Sequence, residues 1–403
     1  MTAPGDQSLL RDINDRAALT LLLEHGELTR HRLCELTGLS RPTASRIMTR
    51  LESLDLVYVA GVASARRGPN AASYAVRSDR VLGVAMNVDR TSVQATVVDL
   101  AGADHPVVEA ALSRSAGDRG PVGVVTEAVR AACAAAGLDE TAVRMVCLGV
   151  PGAVDRRTDE LNCVAGLPGW PRKGIHAVLR AALGCEVTIE NDVHLAAIAE
   201  RNLGSGRGAQ SFALLWLGDG LGSAVDIDGT VLRGASGRAG EIDALTVPRW
   251  AVGLDPEAHD LQSLVGASAL ARVARERDVT KRGFTALMSA LESHPRRDEI
   301  FAVMAPRVAA AVAAVLAVVD PDRVVLGGPM ATCGGPALER HVQAAIRRHT
   351  RWSPTIVTTS VVDHPVLTGA RESLATAVRT NFLDEFNVEP SDSESPVPGR
   401  VLS

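Results

Sequence analysis

Between Thr29 and Leu56 the chain reads TRHRLCELTGLSRPTASRIMTRLESLDL. Its apolar residues recur at three- and four-residue spacing, with one break at Thr37-Gly38. The pattern predicts two short helices joined by a tight turn. Thr29 is the expected N-cap of the first, because its hydroxyl can accept from an otherwise unpaired backbone N–H. Leu33 and Leu36 form the apolar stripe of that helix, and Gly38 supplies a positive φ at its end. Leu39 plugs the turn and Ser40 caps the second helix. Pro42 falls in the first turn, where its missing N–H removes no intrahelical bond. Ala44, Ile47, Met48, Leu51 and Leu54 mark the buried face. Arg41, Thr43, Arg46 and Arg50 lie opposite, and with Ser45 they are the candidates for contact with DNA. A helix entering the major groove needs that distribution of short polar side chains and arginines.

The flanks extend the pattern. Leu19 to Leu23 predict a preceding helix that ends at Gly26. Leu56 to Val59 read as a strand, Ala65 to Asn70 as a basic turn, and Ser73 to Val76 as a second strand. A helix, a helix-turn-helix and a hairpin with Arg66 and Arg67 at its tip make a winged helix-turn-helix. The plain alternative is an αα-hairpin whose solvated face happens to carry arginines. Charge separates the two. From Thr29 to Arg77 there are eight Arg against Glu35, Glu52 and Asp55, a local balance near +5 in a chain whose net charge is -5. A basic island in an acidic protein is the footprint of phosphate binding.

After Arg77 strands and helices alternate. Val81–Val84 and Val93–Asp99 predict an antiparallel pair, Val122–Ala136 a helix, and Val143–Val150 a buried strand. Ile175–Leu183 predict a helix, Val187–Ile189 a strand, and His194–Asn202 another helix. Phe212–Leu217 and Ser223–Ile227 pair around Gly218 to Gly222; helices dominate from His259 to Val319, and Arg323–Leu326 is a strand running into Gly327-Gly328. This is α/β, in two lobes that split near Leu203. Glycine turns at the strand ends are where a mononucleotide or sugar would sit.

The remaining composition narrows the class. The 403 residues exceed one compact core. Six cysteines without a CxxC pair fit buried thiols of a reducing cytosol. The apolar run Val308–Val319 is too short to span a bilayer and is expected to be a buried helix. No signal peptide is visible, and Asn387 to Ser403, rich in Pro, Ser and acids, is expected to be disordered.

Six segments in order are more specific than any one turn: GVPGAVD, LPGW, ENDVHLAAIAE, LGDGLGS, GASGRAGEID and DPDRVVLGGPM. From Leu9 to about Arg379 the chain resembles the ROK family of sugar kinases and repressors, whose repressor members carry a winged helix-turn-helix. The resemblance implies an actin-like, sugar-kinase-like domain after the DNA-binding head. The expected organisation is the head over 1–78, a first lobe over 79–203 rejoined by a C-terminal helix near 366–380, a second lobe over 204–365, and a tail over 386–403.

The resemblance breaks on the phosphate side. The kinases' Asp-x-Gly-Gly-Thr-Lys turn falls on Ala85, Met86, Asn87, Val88, Asp89 and Arg90. The carboxylate is absent, and Asn87-Val88 replace the glycines that would let the backbone approach phosphate. In the second phosphate turn Asp219 stands where relatives have a hydroxyl, and like charges at contact distance repel by about a few kcal/mol. The sugar side is better kept. Asn191 and Asp192 match the family's Asn-Asp pair, whose Asp is the kinase base. Glu241 matches a sugar-binding Glu, with Asp243 at or beside the position of a family His. Asn191-Asp192 also read simply as a helix N-cap, and Asp243 as a solvent-facing residue. Asp155 is a further candidate for the cleft. The family's zinc ligands are missing, since no Cys lies between Cys185 and Cys333 and His259 stands alone.

The expectation is therefore a cytoplasmic, non-catalytic transcriptional regulator, most simply a repressor of carbohydrate genes. It would bind a palindromic operator in double-stranded DNA as a homodimer and a sugar or sugar derivative at Asn191, Asp192, Glu241 and Asp243. No cofactor, metal or membrane partner is expected. The alternatives are a sugar kinase with a fused DNA-binding head and a regulator that has lost ligand control.

Overall fold

The computed structural model describes residues 4–63, 71–112, 120–155, 157–162, 167 and 169–385. Arg66, Arg67 and the tail from 386 lie outside the described residues.

The head contains α1 (Pro4–His25), β1 (Leu28–Thr29), α2 (Arg30–Thr37), α3 (Arg41–Ser53), β2 (Val57–Ala63) and β3 (Ala71–Val76), with the strands in the order β1-β3-β2. Local chemistry sets the helix ends as the spacing predicts. Thr29 Oγ1 accepts from Arg32 N at 3.2 Å, and Ser40 Oγ from Thr43 N at 3.3 Å. Gly38 closes α2 at φ 72° with its N–H on Cys34 O. α1 begins far upstream of the predicted Leu19. Leu9, Leu10 and Ile13 lie on its exposed early turns, whereas Ala18, Leu19 and Leu22 are buried. The predicted segment Leu19–Leu23 belongs to the part that packs, while the apolar residues upstream of it are exposed.

The first lobe contains β4 (Leu82–Val88), β5 (Ser92–Val98), β6 (Val108–Ala111), α4 (Gly120–Ala136), β7 (Val143–Val150), β8 (Ala153–Asp155), β9 (Glu160–Asn162), α5 (Ile175–Leu183), β10 (Glu186–Asn191) and α6 (Asp192–Asn202). Its sheet runs β10-β7-β4-β5-β6, parallel among the first three strands and antiparallel beyond. Alternation along β4 sorts the two faces. Leu82, Val84, Met86 and Val88 pack with α4 and α5, whereas Ala85 belongs to the core on the other side.

The second lobe contains β11 (Ser211–Leu217), β12 (Leu221–Ile227), β13 (Thr230–Val231), α7 (Leu261–Val265), α8 (Ala267–Arg275), α9 (Phe284–Glu292), α10 (Arg297–Val319), β14 (Arg323–Gly327), α11 (Pro329–His349, broken at Gly335) and β15 (Thr355–Thr358). Its sheet runs β13-β12-β11-β14-β15. By length and composition α10 could cross a membrane, but Ile300, Phe301, Met304, Val308, Val312 and Leu316 are buried in this lobe's core.

The final helix, α12 (Pro365–Asp384), returns to the first lobe and crosses α6 closely. A Cβ on Gly369 would lie 1.8 Å from Leu195 O, so only glycine fits the crossing. One apolar core runs from Leu19, Leu33 and Met48 of the head through Val81 and Leu100 to Leu367, Leu374 and Phe382 of α12. Arg16 clamps the same junction, donating to Leu383 O at 3.2 Å and pairing with Asp384 at 3.0 Å.

Candidate DNA-binding face and interlobe site

On α3, Ala44, Ile47, Met48 and Leu51 are buried, while Arg41 and Arg46 are exposed and make no ion pair among the described residues. Ser45 and Thr43 are half-buried between them, with the Thr43 hydroxyl 2.9 Å from that of Ser40. Arg50 is placed differently from Arg41 and Arg46. It turns toward α1, forms an ion pair with the nearly buried Asp15 and donates to Arg11 O. Burial raises the Asp15 carboxyl and Arg50 offsets part of that rise. Arg50 thus holds α1 against α3. Other arginines of the basic island are also engaged: Arg32 pairs with Glu35 at 2.8 Å, Arg77 with Asp55 at 2.6 Å, and Arg30 lies over the Tyr74 ring. Arg41 and Arg46 remain as open cations on the outward face of α3.

Between the lobes, the end of β10 and the start of α6 form the floor of the second site. Asn191 caps α6, with Oδ1 accepting from Val193 N at 2.8 Å and His194 N at 3.1 Å while Nδ2 donates to Gly152 O. Its side chain is buried and engaged on three sides, so its contribution is to aim the next residue. That residue, Asp192, is half-buried. Desolvation and the nearby Glu241 carboxylate push its carboxyl up to about 7, against the lowering pull of the Val193 amide and His194. Glu241 stands at the rim, where burial of its inner side and the Asp243 carboxylate raise it. Gly240 makes this possible: its φ is +93° and a Cβ would fall 2.2 Å from Ser223 O. Asp192, Glu241 and Asp243 therefore share one electrostatic neighbourhood, as their spacing in sequence did not require. Among the described residues no group of His, Cys, Asp or Glu is disposed to hold a metal.

Beneath them lies His194, which the sequence reading passed over. It is 1% exposed, its Nε2 lies 3.0 Å from Ala239 O, and its Nδ1 is 3.7 Å from Glu190. Burial alone would raise Glu190, but His194 and Arg233, at 2.6 Å, hold it below the usual carboxylate range. The sequence carried no periodic signal for this pair, because Glu190 ends a strand and His194 lies in the first turn of the following helix. Asp155 is nearly buried and bound to Arg157 through both the side chain and the backbone N–H.

Backbone amides of both glycine-turn regions already have partners within the protein. Val88 is fully buried in the β4–β5 ladder opposite Val93. Asp89 Oδ1 accepts from Thr91 N at 2.6 Å and Ser92 N at 2.7 Å, so these amides point at a carboxylate. In the second turn Gly218 N donates to Gly220 O and Leu221 N to Gln262. Arg90 and Asp219 face each other across the cleft at 3.7 Å. Between Glu241 and α7, Asp255 is buried between Arg272 and Arg307, each at 2.6 Å. Their bonds outweigh desolvation and hold its carboxyl below the ordinary range.

The model of the ROK family matches residues 84–376, and a winged helix-turn-helix DNA-binding model matches residues 11–58. The chain is 25% identical to a glucokinase of Halalkalibacterium halodurans over 209 residues, covering 48% of this chain and 63% of that protein. It is 21% identical to the xylose repressor of Caldicellulosiruptor bescii over 247 residues, covering 60% of this chain and 61% of the repressor. In both cases it spans less than two thirds of the relative. Its fold matches the crystal structure of a ROK family transcriptional regulator, a homolog of the E. coli MLC protein, at 17% identity and TM-score 0.66, covering 94% of this chain and 98% of that one.

Proposed function

The chain belongs to the ROK family, and from that membership and the head it carries we propose a DNA-binding transcriptional regulator whose kinase-like domain senses a sugar without phosphorylating it. The observation that carries this is α3, with Arg41 and Arg46 open on its outward face and the head joined to the family domain by a continuous core. A rigid basic helix suits the major groove, where Arg can donate to both guanine acceptors. Two such heads related by two-fold symmetry would read a palindromic site.

The effector would bind at Asp192, Glu241 and Asp243. Coupling requires that the ligand prefer one lobe arrangement over another. α6 carries Asp192 at its first turn and packs on α12 through Gly369, and α12 ends on Arg16 of the head. A change in cleft closure would therefore be felt at α1. Repression rather than activation is the simplest sign, because a bound head blocks polymerase without further contacts.

A phosphotransferase reading is favoured by Asp192, whose carboxyl is pushed up to about 7, and by the glucokinase relatives. The closed amides around Asp89 and the Asp219 carboxylate oppose it, since catalysis of phosphoryl transfer rests on donors and cations aimed at phosphate. The test is selection of binding sites from random duplex DNA, followed by titration with a sugar panel. Recovery of no sequence preference, or a preference unchanged in Arg46→Ala, would overturn the assignment of α3 as the reading helix.

A further inference from the structure

The last turn of α12 lies against the head, and two adjacent residues of α1 connect it to α3. Arg16 donates to Leu383 O and pairs with Asp384, while Asp15, its neighbour in sequence, pairs with Arg50 of α3. Arg46 is one helical turn before Arg50, about 5.4 Å along the axis. The chain beyond Asp384 therefore leaves the fold beside the helix assigned to DNA. Glu385, the next residue, is exposed.

After Glu385 the sequence reads FNVEPSDSESPVPGRVLS, with the acids Glu389, Asp392 and Glu394 against Arg400. Glu394 is nine residues past Glu385. Nine residues reach about 30 Å when extended, and a folded head of residues 4–76 is about 30 Å across. The acids are thus tethered within reach of the whole basic island. Within that island Arg30, Arg32, Arg50 and Arg77 already have protein partners. Arg41 and Arg46 are exposed and make no ion pair among the described residues. Exposed pairs contribute little singly. A short tether raises the effective concentration of their partners to about millimolar, so several together can compete with a free ligand.

We propose that the acidic stretch 389–394 docks on the outward face of α3 of its own chain, against Arg41 and Arg46, and must be displaced before that face meets DNA. Carboxylates there occupy the positions that phosphates would take, and the contact weakens with salt as DNA binding does. The competition rests on α3 being the reading helix; the docking itself does not.

Carbodiimide joins a carboxylate to an amine only where the two touch. The chain has two lysines, Lys173 and Lys281, neither in the head, so Arg46→Lys places an amine on α3 without changing its charge. In the full chain, at low salt, that amine should link to Glu389, Asp392 or Glu394 in a monomer-sized product, read by mass spectrometry of the digest. The yield should fall about fivefold or more in 0.5 M salt, where charges are screened beyond about 4 Å. Separately, Glu389→Gln, Asp392→Asn and Glu394→Gln together should tighten binding to random-sequence duplex about tenfold at low salt, the scale of three modest pairs. At high salt the gain should shrink to about twofold or less. Absence of the cross-link would overturn the docking, and a cross-link confined to dimer-sized product would place the acids on a neighbouring copy instead. Unchanged DNA affinity in the triple variant would overturn the competition. Because the cross-link is read without DNA, it decides the docking whether or not α3 proves to be the reading helix.

Discussion

Replacing Asp192 by Asn should stabilise the protein at neutral pH, although it removes the central side chain of the proposed sugar site. The carboxyl is displaced from 3.8 to about 7 by desolvation and by Glu241. At about 1.4 kcal/mol per unit, ionised Asp192 opposes folding by at most about 4 kcal/mol. The residue is only half-buried, and solvent screening reduces the expected effect to about 2 kcal/mol. The native state binds the proton more tightly than the unfolded chain, so it holds more protons between pH 3.8 and about 7. Stability from this group is therefore greatest at the acid end, falls as pH rises through that window, and is level above it. Asn carries no charge and keeps an oxygen for the Val193 amide, which Asp192 Oδ1 now accepts at 2.8 Å. It also relieves Glu241 of a like charge.

Thermal unfolding of both proteins from pH 4.5 to 8 tests this. Near pH 4.5 the two midpoints should nearly coincide. By pH 8 the Asn variant should melt higher by a few degrees, since about 1 kcal/mol corresponds to about 2–4 °C for a domain of this class. Parallel pH profiles, or a less stable Asn variant at pH 8, would show that Asp192 is hydrated and not electrostatically crowded. A stabilising loss of a polar group is expected only where the site is held for binding and not for folding.

Arg46→Ala should weaken operator binding by about 1–3 kcal/mol and relax preference at one base position, read by fluorescence anisotropy across a site library. Arg50→Ala should instead lower the melting temperature, by about 2–4 kcal/mol of stability, because it leaves the Asp15 carboxyl buried without its cation; altered base preference with unchanged stability would contradict that placement. Coupled-enzyme assay should detect no phosphoryl transfer to glucose, N-acetylglucosamine, mannose or xylose above Asp192→Asn, and Ala85→Asp should not restore it, since Val88, Asp89 and Asp219 still occupy the phosphate turns. Calorimetry should find glucosamine bound more tightly than glucose, with the difference lost in Asp243→Asn; indifference to the amine would place Asp243 outside the ligand's reach.

Much of the head was legible because its signals are local. Thr29, Gly38 and Ser40 each act within four residues of themselves, so the ends of α2 and α3 could be placed from sequence alone. The strands β7 and β14 were legible as continuous apolar runs, as parallel strands covered on both faces should be. The edge strands β6 and β15 were not, because they are short and largely exposed or half-buried, and so carry little pattern. Asp192 and Glu241 were found by resemblance. The backbone approach that brings them together was not, since it depends on Gly240 bringing a loop against β12, 48 residues beyond α6's first turn.

Arg50 shows where periodicity stops being informative. Position on a helical wheel fixes the angle of a side chain, and by angle Arg50 lies with Arg46 on the polar face. Whether that angle meets water or protein depends on what packs alongside, and here α1 places a nearly buried carboxylate, Asp15, within reach. The same charge that reads as a phosphate contact from sequence then becomes an internal brace. The island's net charge of about +5 overstates the open cations on α3 by the same logic, since Arg30, Arg32, Arg50 and Arg77 all have protein partners. Counting charges along a chain measures attraction to DNA at long range. Base recognition would rest on the few without a protein partner, and among the described residues of α3 those are Arg41 and Arg46.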